Sequence, residues 1–151
     1  MPRVAYSMGY ERRDMPDFIA LLRAQGIKRV ADVRNYPYSR KPGFSRPALE
    51  AELRKEGMEY RSFTELGAPK ELREYAERAG MERFLEGYRK HLGSRKREFA
   101  QLVEYLGDDG GVILCLERDS RQCHRSVIEE ALREEGYEII SVGDRPSKVW
   151  F

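Results

Sequence analysis

Twelve consecutive residues, CLERDSRQCHRS at 115–126, hold both cysteines of the chain, one of its two histidines, three arginines and two acids. Thiols, an imidazole and a carboxylate in one stretch suit nucleophilic or redox chemistry. Ser120 to Glu135 is predicted as a helix that Asp119 caps while Gln122 reaches back, which puts Cys123 in or near its first turn. Partial positive charge at a helix start stabilises a thiolate, and Arg121, Arg125 and a protonated His124 add to it. Cys123 is therefore the candidate nucleophile; the opposing reading packs it against Val127 and Ala131, spaced four apart. His124 falls in line with Ile128 and Leu132. It either faces the sheet as a structural residue or, with Glu117 at a strand end, manages protons. Cys115, inside the apolar run VILCL, reads as a small hydrophobe. Cys115, Cys123 and His124 offer three metal ligands without the spacing of a tight metal motif, so no metal is expected. A Cys115–Cys123 disulfide is geometrically conceivable, one residue in a strand and the other near the next helix start, although no CxxC spacing supports it.

A second segment, Arg34 to Leu49, carries Arg34, Arg40, Lys41 and Arg46 with Tyr36, Tyr38 and Phe44 between them, and no acid. Guanidinium groups grip phosphate or carboxylate oxygens, and aromatic faces stack on bases. The alternative is a solvated loop pinned by its aromatics. Just upstream, Asp32 shares a strand face with Arg34. It reads as an ion-pair partner or loop cap, or as a carboxylate that orients Arg34 toward a ligand.

These residues need a scaffold. Predicted strands at 4–8, 29–34, 59–63, 112–116 and 138–142 alternate with helices. One helix starts at Asp14 with Met15, Phe18, Ile19 and Leu22 as its stripe, and another has Pro47 in its first turn. Three helices, the last capped by Ser94, fill the stretch before the fourth strand. The closing KVWF is a candidate edge strand. Such alternation gives a single α/β domain over 1–151: a mostly parallel sheet of about five strands, helices on both faces, and a helical insertion before the fourth strand. Ligands bind such sheets beyond the carboxyl ends of the strands. The loops there are predicted at 9–13, 35–46, 64–68, 117–121 and 143–145.

A net charge of +2 gives no global case for nucleic-acid binding, and the excess of 21 arginines over 7 lysines, with a single asparagine, suits a heat-adapted or GC-rich source. The first ten residues lack a secretory pattern, and no apolar run is long enough to span a bilayer. A soluble cytoplasmic protein with reduced cysteines and no membrane partner is expected. One glycine in SMGYE is not a dinucleotide fingerprint and no phosphate-binding lysine loop is present, so no cofactor is expected.

Taken in order, SMGYE at 7–11, DVRNYPYSRKPGFS at 32–45, TELG at 64–67 and LCLERDSRQCHRS at 114–126 resemble the family catalogued as domain of unknown function 488. The resemblance implies an α/β fold of about this size and places the family's signature residues at Arg34, Arg40, Glu65, Cys115, Glu117, Cys123, His124 and Arg125. Ala68 departs from it, standing where a second glycine after Gly67 is expected. The DVR ending and the cysteine-bearing loop are also similar to rhodanese-type sulfurtransferases, whose arginine-bracketed active-site loop is absent here.

The reading that results is an anion pocket, for a phosphate-like group, at the carboxyl edge of the sheet. Arg34, Arg40, Arg46 and Arg125 hold the anion, with Asp32, Tyr36 and Glu65 in support. Cys123 acts as nucleophile in a transferase or hydrolase reaction, with His124 and Glu117 handling protons. The alternative is a non-catalytic module that binds nucleic acid or nucleotide through the basic, tyrosine-rich loop. Both require residues 34–46 and 117–125 to meet in space.

Overall fold

The computed structural model describes residues 3–37 and 39–143; Tyr38, the loop beyond Gly143 with Arg145, and the candidate KVWF strand lie outside the described residues. Among the described residues, five strands form one sheet: β1 (Arg3–Gly9), β2 (Arg29–Asp32), β3 (Glu59–Ser62), β4 (Asp109–Cys115) and β5 (Tyr137–Ser141). Their order is β3-β2-β4-β1-β5 and every pairing is parallel.

Alternation along β4 divides the core. Val112 and Leu114 face a cluster with Phe18, Leu22, Phe44, Leu49 and Leu53, contributed by α1 (Met15–Ala24), α2 (Arg46–Lys55) and the loop between β2 and α2. Ile113 and Cys115 face the opposite cluster with Tyr88, Leu102, Ile128 and Leu132, under α4 (Met81–Gly93), α5 (Lys96–Leu106) and α6 (Arg125–Glu134). The period of two that exposes each strand residue to one face thus sends the Cys115 side chain toward α6. A buried leucine or phenylalanine stabilises the fold by roughly 1.5–3 kcal/mol, and both faces are lined with them.

Local chemistry sets the helix starts. The Asp14 carboxylate accepts the Asp17 N–H at 2.9 Å and caps α1. Ser45 precedes α2 but does not cap it. Its hydroxyl instead accepts the Ser39 N–H at 2.9 Å and donates to the Ser39 carbonyl at 2.8 Å, while the Arg46 N–H reaches the Pro37 carbonyl at 2.7 Å. The acid-free loop is thereby clasped shut across its base.

Three helices fill the insertion before β4: α3 (Lys70–Ala79), α4 and α5. Ser94 belongs to the end of α4 rather than capping α5, because its hydroxyl donates to the His91 carbonyl at 2.6 Å. The long helix predicted from Ser120 is broken. Ser120–Gln122 form a single 3-10 turn with the Asp119 carboxylate accepting the Arg121 N–H at 3.0 Å. Cys123 is then extended, at φ −156° and ψ 164°, and α6 starts at Arg125. Among the described residues no helix is long and apolar enough to cross a membrane.

Candidate active site

The ends of β2, β4 and β1 are neighbours, so the loops that leave them share one edge of the sheet. Backbone contacts lock those loops together. Pairing of β1 with β4 continues past the strands through Tyr10 N–H to the Cys115 carbonyl at 3.1 Å and Glu11 N–H to the Leu116 carbonyl at 2.9 Å. Gly9 permits this approach: a Cβ there would lie 1.8 Å from the Glu117 carbonyl oxygen. Gly67 plays the same part at the next loop, where a Cβ would lie 2.0 Å from the Asn35 nitrogen. The glycines of SMGYE and TELG are therefore packing devices, not phosphate cradles.

A cleft of about 470 Å³ opens at this edge. Its lining includes Tyr10, Arg34, Tyr36, Ala68, Arg73, Phe84, Cys115, Glu117, Cys123 and His124. The two segments that sequence reasoning required to meet, at Arg34–Tyr36 and Glu117–His124, share this wall. Clefts of about 550 and 590 Å³ lie against other faces of α6, and neither touches a cysteine.

The extended backbone at Cys123 turns its sulfur to Cys115. The two Sγ atoms lie 2.9 Å apart, both thiols are free, and both are buried on the cleft floor. Cys115, read from sequence as a small hydrophobe, is thus half of a dithiol. Arg125 serves both sulfurs: its backbone N–H donates to Cys123 Sγ at 3.2 Å and its Nη1 donates to Cys115 Sγ at 3.2 Å. The Cys115 thiol also faces Glu117 Oε1 at 3.7 Å. The Arg125 guanidinium is held by the Arg118 carbonyl at 3.1 Å and the Glu129 carboxylate at 4.0 Å.

Electrostatics correct two expectations. Burial pushes the Cys123 thiol well above its ordinary value, helped by the hydrogen bond and charge of Cys115 and by Glu117; Arg125 opposes the shift without reversing it. Desolvation sets the sign of the shift, opposite to the one expected from a helix start. Burial also pushes His124 down to about 4, with the charges of Arg125, Arg73 and His91 adding to the shift and the Val33 bond opposing it. His124 Nε2 lies 2.7 Å from the Val33 carbonyl and its ring 5.1 Å from that of Tyr88. It is a neutral strut between α6 and β2.

Arg34 lines the cleft, yet protein acceptors engage nearly all of its guanidinium. Nε donates to Asp32 Oδ1 at 2.8 Å, Nη2 to Asp32 Oδ2 at 2.6 Å, and Nη1 to the Phe44 carbonyl at 2.7 Å and the Tyr10 hydroxyl at 3.3 Å. Burial disfavours its charge, but Asp32 more than compensates and holds its pKa above the usual value. Tyr60 completes the knot, its hydroxyl 2.5 Å from Asp32 Oδ2, with its own pKa raised by burial and by Asp32. Asp32 therefore has the ion-pair role.

Arg40, on the clasped loop, and Arg46, the first residue of α2, are exposed and do not line the cleft. Tyr36, 67% exposed, stands at its lip. Glu65 is exposed on a 3-10 turn, and its carbonyl, not its carboxylate, is used, at 2.9 Å from His91 Nε2. Sequence reasoning missed Tyr10, whose ring stacks on Phe44 at 4.6 Å, and Arg73, which donates to the Ala68 carbonyl at 3.1 Å. Cys115, Glu117 and Cys123 place three donor atoms within 4.8 Å, a set that suits a soft divalent metal by type. The Arg125 guanidinium already brings a positive charge to that cluster.

A family model described as "Domain of unknown function DUF488" matches residues 14–132. The chain belongs to the DUF488 family. That match spans β2, β4 and the start of α6, so the clasped loop, both cysteines, Glu117, His124 and Arg125 all lie within the DUF488 region. Neither the search of curated proteins nor the search of solved structures returned a match.

Proposed function

We propose that this chain is a thiol-dependent group-transfer enzyme that acts on a small anionic substrate in the cleft at the carboxyl edge of the sheet. The observation that carries the reading is the double donation by Arg125, one N–H to each sulfur. Donors of that kind stabilise a single negative charge shared by a thiol pair. At rest the buried Cys123 is a thiol. Its proton has a path to Cys115, 2.9 Å away, and from there to Glu117, 3.7 Å from Cys115. The Cys123 sulfur then attacks the electrophilic atom of the substrate. The new bond forms to sulfur, the bond to the leaving group breaks, and the leaving group departs with the electron pair and takes the proton from Glu117. Arg73 and the remaining edge of Arg34 face the anionic part of the substrate. A cytoplasmic setting belongs to this reading, since reductants there keep thiols free.

The test uses iodoacetate and iodoacetamide, which differ in charge and share one mechanism. Cys123 alkylates faster with the anionic reagent than with the neutral one, and Arg73→Ala abolishes the preference. Alkylation of Cys123 only after denaturation sinks the proposal.

Tyr36 at the lip and Arg40 and Arg46 on the outer surface favour a second reading, in which the loop binds single-stranded nucleic acid without chemistry. Steep salt-dependent binding to an oligonucleotide, unaffected by Cys123→Ser, distinguishes it.

A further inference from the structure

Two sulfurs in contact on one cleft floor ask more of the site than one nucleophile does. We propose that Cys115 is a resolving thiol, and that the substrates are small disulfides carrying carboxylate groups, which the chain reduces at the expense of its own dithiol. This deepens the group-transfer reading and rests on its assignment of Cys123 as the attacking sulfur.

Geometry favours the second step as strongly as the first. The sulfurs are 2.9 Å apart, inside van der Waals contact, whereas a disulfide requires about 2.05 Å. A closure of under about 1 Å suffices. Cys115 is held by the sheet: it is the last residue of β4, pairs with Gly9 of β1, and its carbonyl accepts from Tyr10. Cys123 sits on the extended joint between the 3-10 turn and α6. The intervening loop is anchored by Arg125 to the Arg118 carbonyl and by Asp119 to Arg121, so the pair stays together without a bond. Arg125 Nη1 donates to Cys115 Sγ at 3.2 Å and so helps to hold that sulfur in place.

The chemistry balances as a dithiol–disulfide exchange. Cys123 thiolate attacks one sulfur of the substrate disulfide; the S–S bond breaks, a mixed disulfide forms on Cys123, and the first substrate thiolate leaves. Cys115 thiolate attacks the Cys123 sulfur; the mixed disulfide breaks, the Cys115–Cys123 bond forms, and the second thiolate leaves. The two thiol protons end on the two released thiols. The substrate gains two electrons and the protein loses two, which an external dithiol returns. Carboxylates on the substrate explain why arginines, rather than apolar residues alone, border a thiol cleft.

The experiment incubates reduced full-length protein with glutathione disulfide, and separately with the neutral hydroxyethyl disulfide, and follows mass and free glutathione. Wild type releases two equivalents of glutathione, loses two hydrogens and carries no adduct; it reacts roughly tenfold faster with the anionic reagent. Cys115→Ser and Cys115→Ala, checked for folding by circular dichroism, release one equivalent and retain one glutathione on Cys123. Cys123→Ser carries no adduct. Resolution in Cys115→Ser as fast as in wild type overturns the role of Cys115 and leaves Cys123 as nucleophile. An adduct on Cys115 in Cys123→Ser, formed at the wild-type rate, overturns the nucleophile assignment itself. Equal rates with the two disulfides overturn the substrate class.

Discussion

The Nε2 of His124 sits 2.7 Å from the carbonyl oxygen of Val33, a contact across 91 residues that ties the start of α6 to the end of β2. The bond fixes the tautomer: Nε2 carries the proton and donates. Its partner is a backbone carbonyl, so the proton on this nitrogen is engaged within the fold.

A pH dependence of stability follows from the same burial. The folded-state pKa of His124 is about 4, below the ordinary value of 6.5. Between those values the unfolded chain binds more protons, so stability rises with pH. The contribution is fully present above about pH 6.5 and is lost as pH falls through 4, a change of about 3 kcal/mol. Urea denaturation at a series of pH values from 7 to 4 is expected to show this slope, and His124→Gln is expected to flatten it.

The buried ion pair under the loop gives a larger effect. Asp32 is wholly buried and Arg34 nearly so. Removing one partner leaves the other charge desolvated and unpaired, at a cost of about 3–5 kcal/mol. Arg34→Ala and Asp32→Ala are each expected to lower the unfolding free energy from urea titration by that amount, and the double substitution by less than the sum. Additive losses in the double mutant contradict the pairing.

Gly9 and Gly67 are expected to tolerate no side chain. An alanine Cβ at either position meets backbone at about 2 Å, which no rotamer change relieves. Gly9→Ala and Gly67→Ala should each lose roughly 1–3 kcal/mol or more and splay the cleft. Gly93, at the end of α4 with open space around it, is the control: its alanine variant should be neutral or gain up to about 1 kcal/mol. Thermal melts of the three variants check this.

For the thiol, burial sets the expected profile. Cys123 alkylation should still be rising above pH 9, because its thiol is held above the ordinary range. An ordinary thiol of pKa near 8.5 would level off by about pH 9.5. Glu117→Gln, which removes a charge that raises the Cys123 thiol, should move this profile to lower pH. A plateau near pH 7 contradicts the shift.

The outer arginines separate the two functional readings. Arg40→Ala and Arg46→Ala, both exposed, should change stability by under about 0.5 kcal/mol and leave thiol reactivity unchanged. If the loop binds nucleic acid, each should lower the salt slope of binding by about 1. Filter binding across a salt series reads this directly.

Strand and helix periodicity made the α/β sheet legible, because the apolar run Val112 to Cys115 buries both faces of β4 and the stripe of α1 buries one face of that helix. The meeting of residues 34–36 with 117–124 was also legible, from the rule that parallel sheets bind at their carboxyl edge. The dithiol was not, since one extended residue at Cys123 redirects its sulfur, and no period in the sequence encodes a break. Nor was the shift of Cys123 in the opposite sense, because the helix effect is local while desolvation depends on the whole fold around it. Charge spacing brought Asp32 and Arg34 together, but Tyr10, Phe44 and Tyr60, which finish that knot, come from three other segments.

The two sulfurs are mounted very differently. Cys115 ends a strand flanked by hydrogen-bonded neighbours on both sides, whereas Cys123 rides a two-residue joint, with His124, between two helical pieces. Any change in the separation of the pair must be taken up at that joint, so β4 is the anvil and the 123 segment the hammer. Stiffening the joint, not loosening the sheet, is the way to arrest this site with its architecture whole.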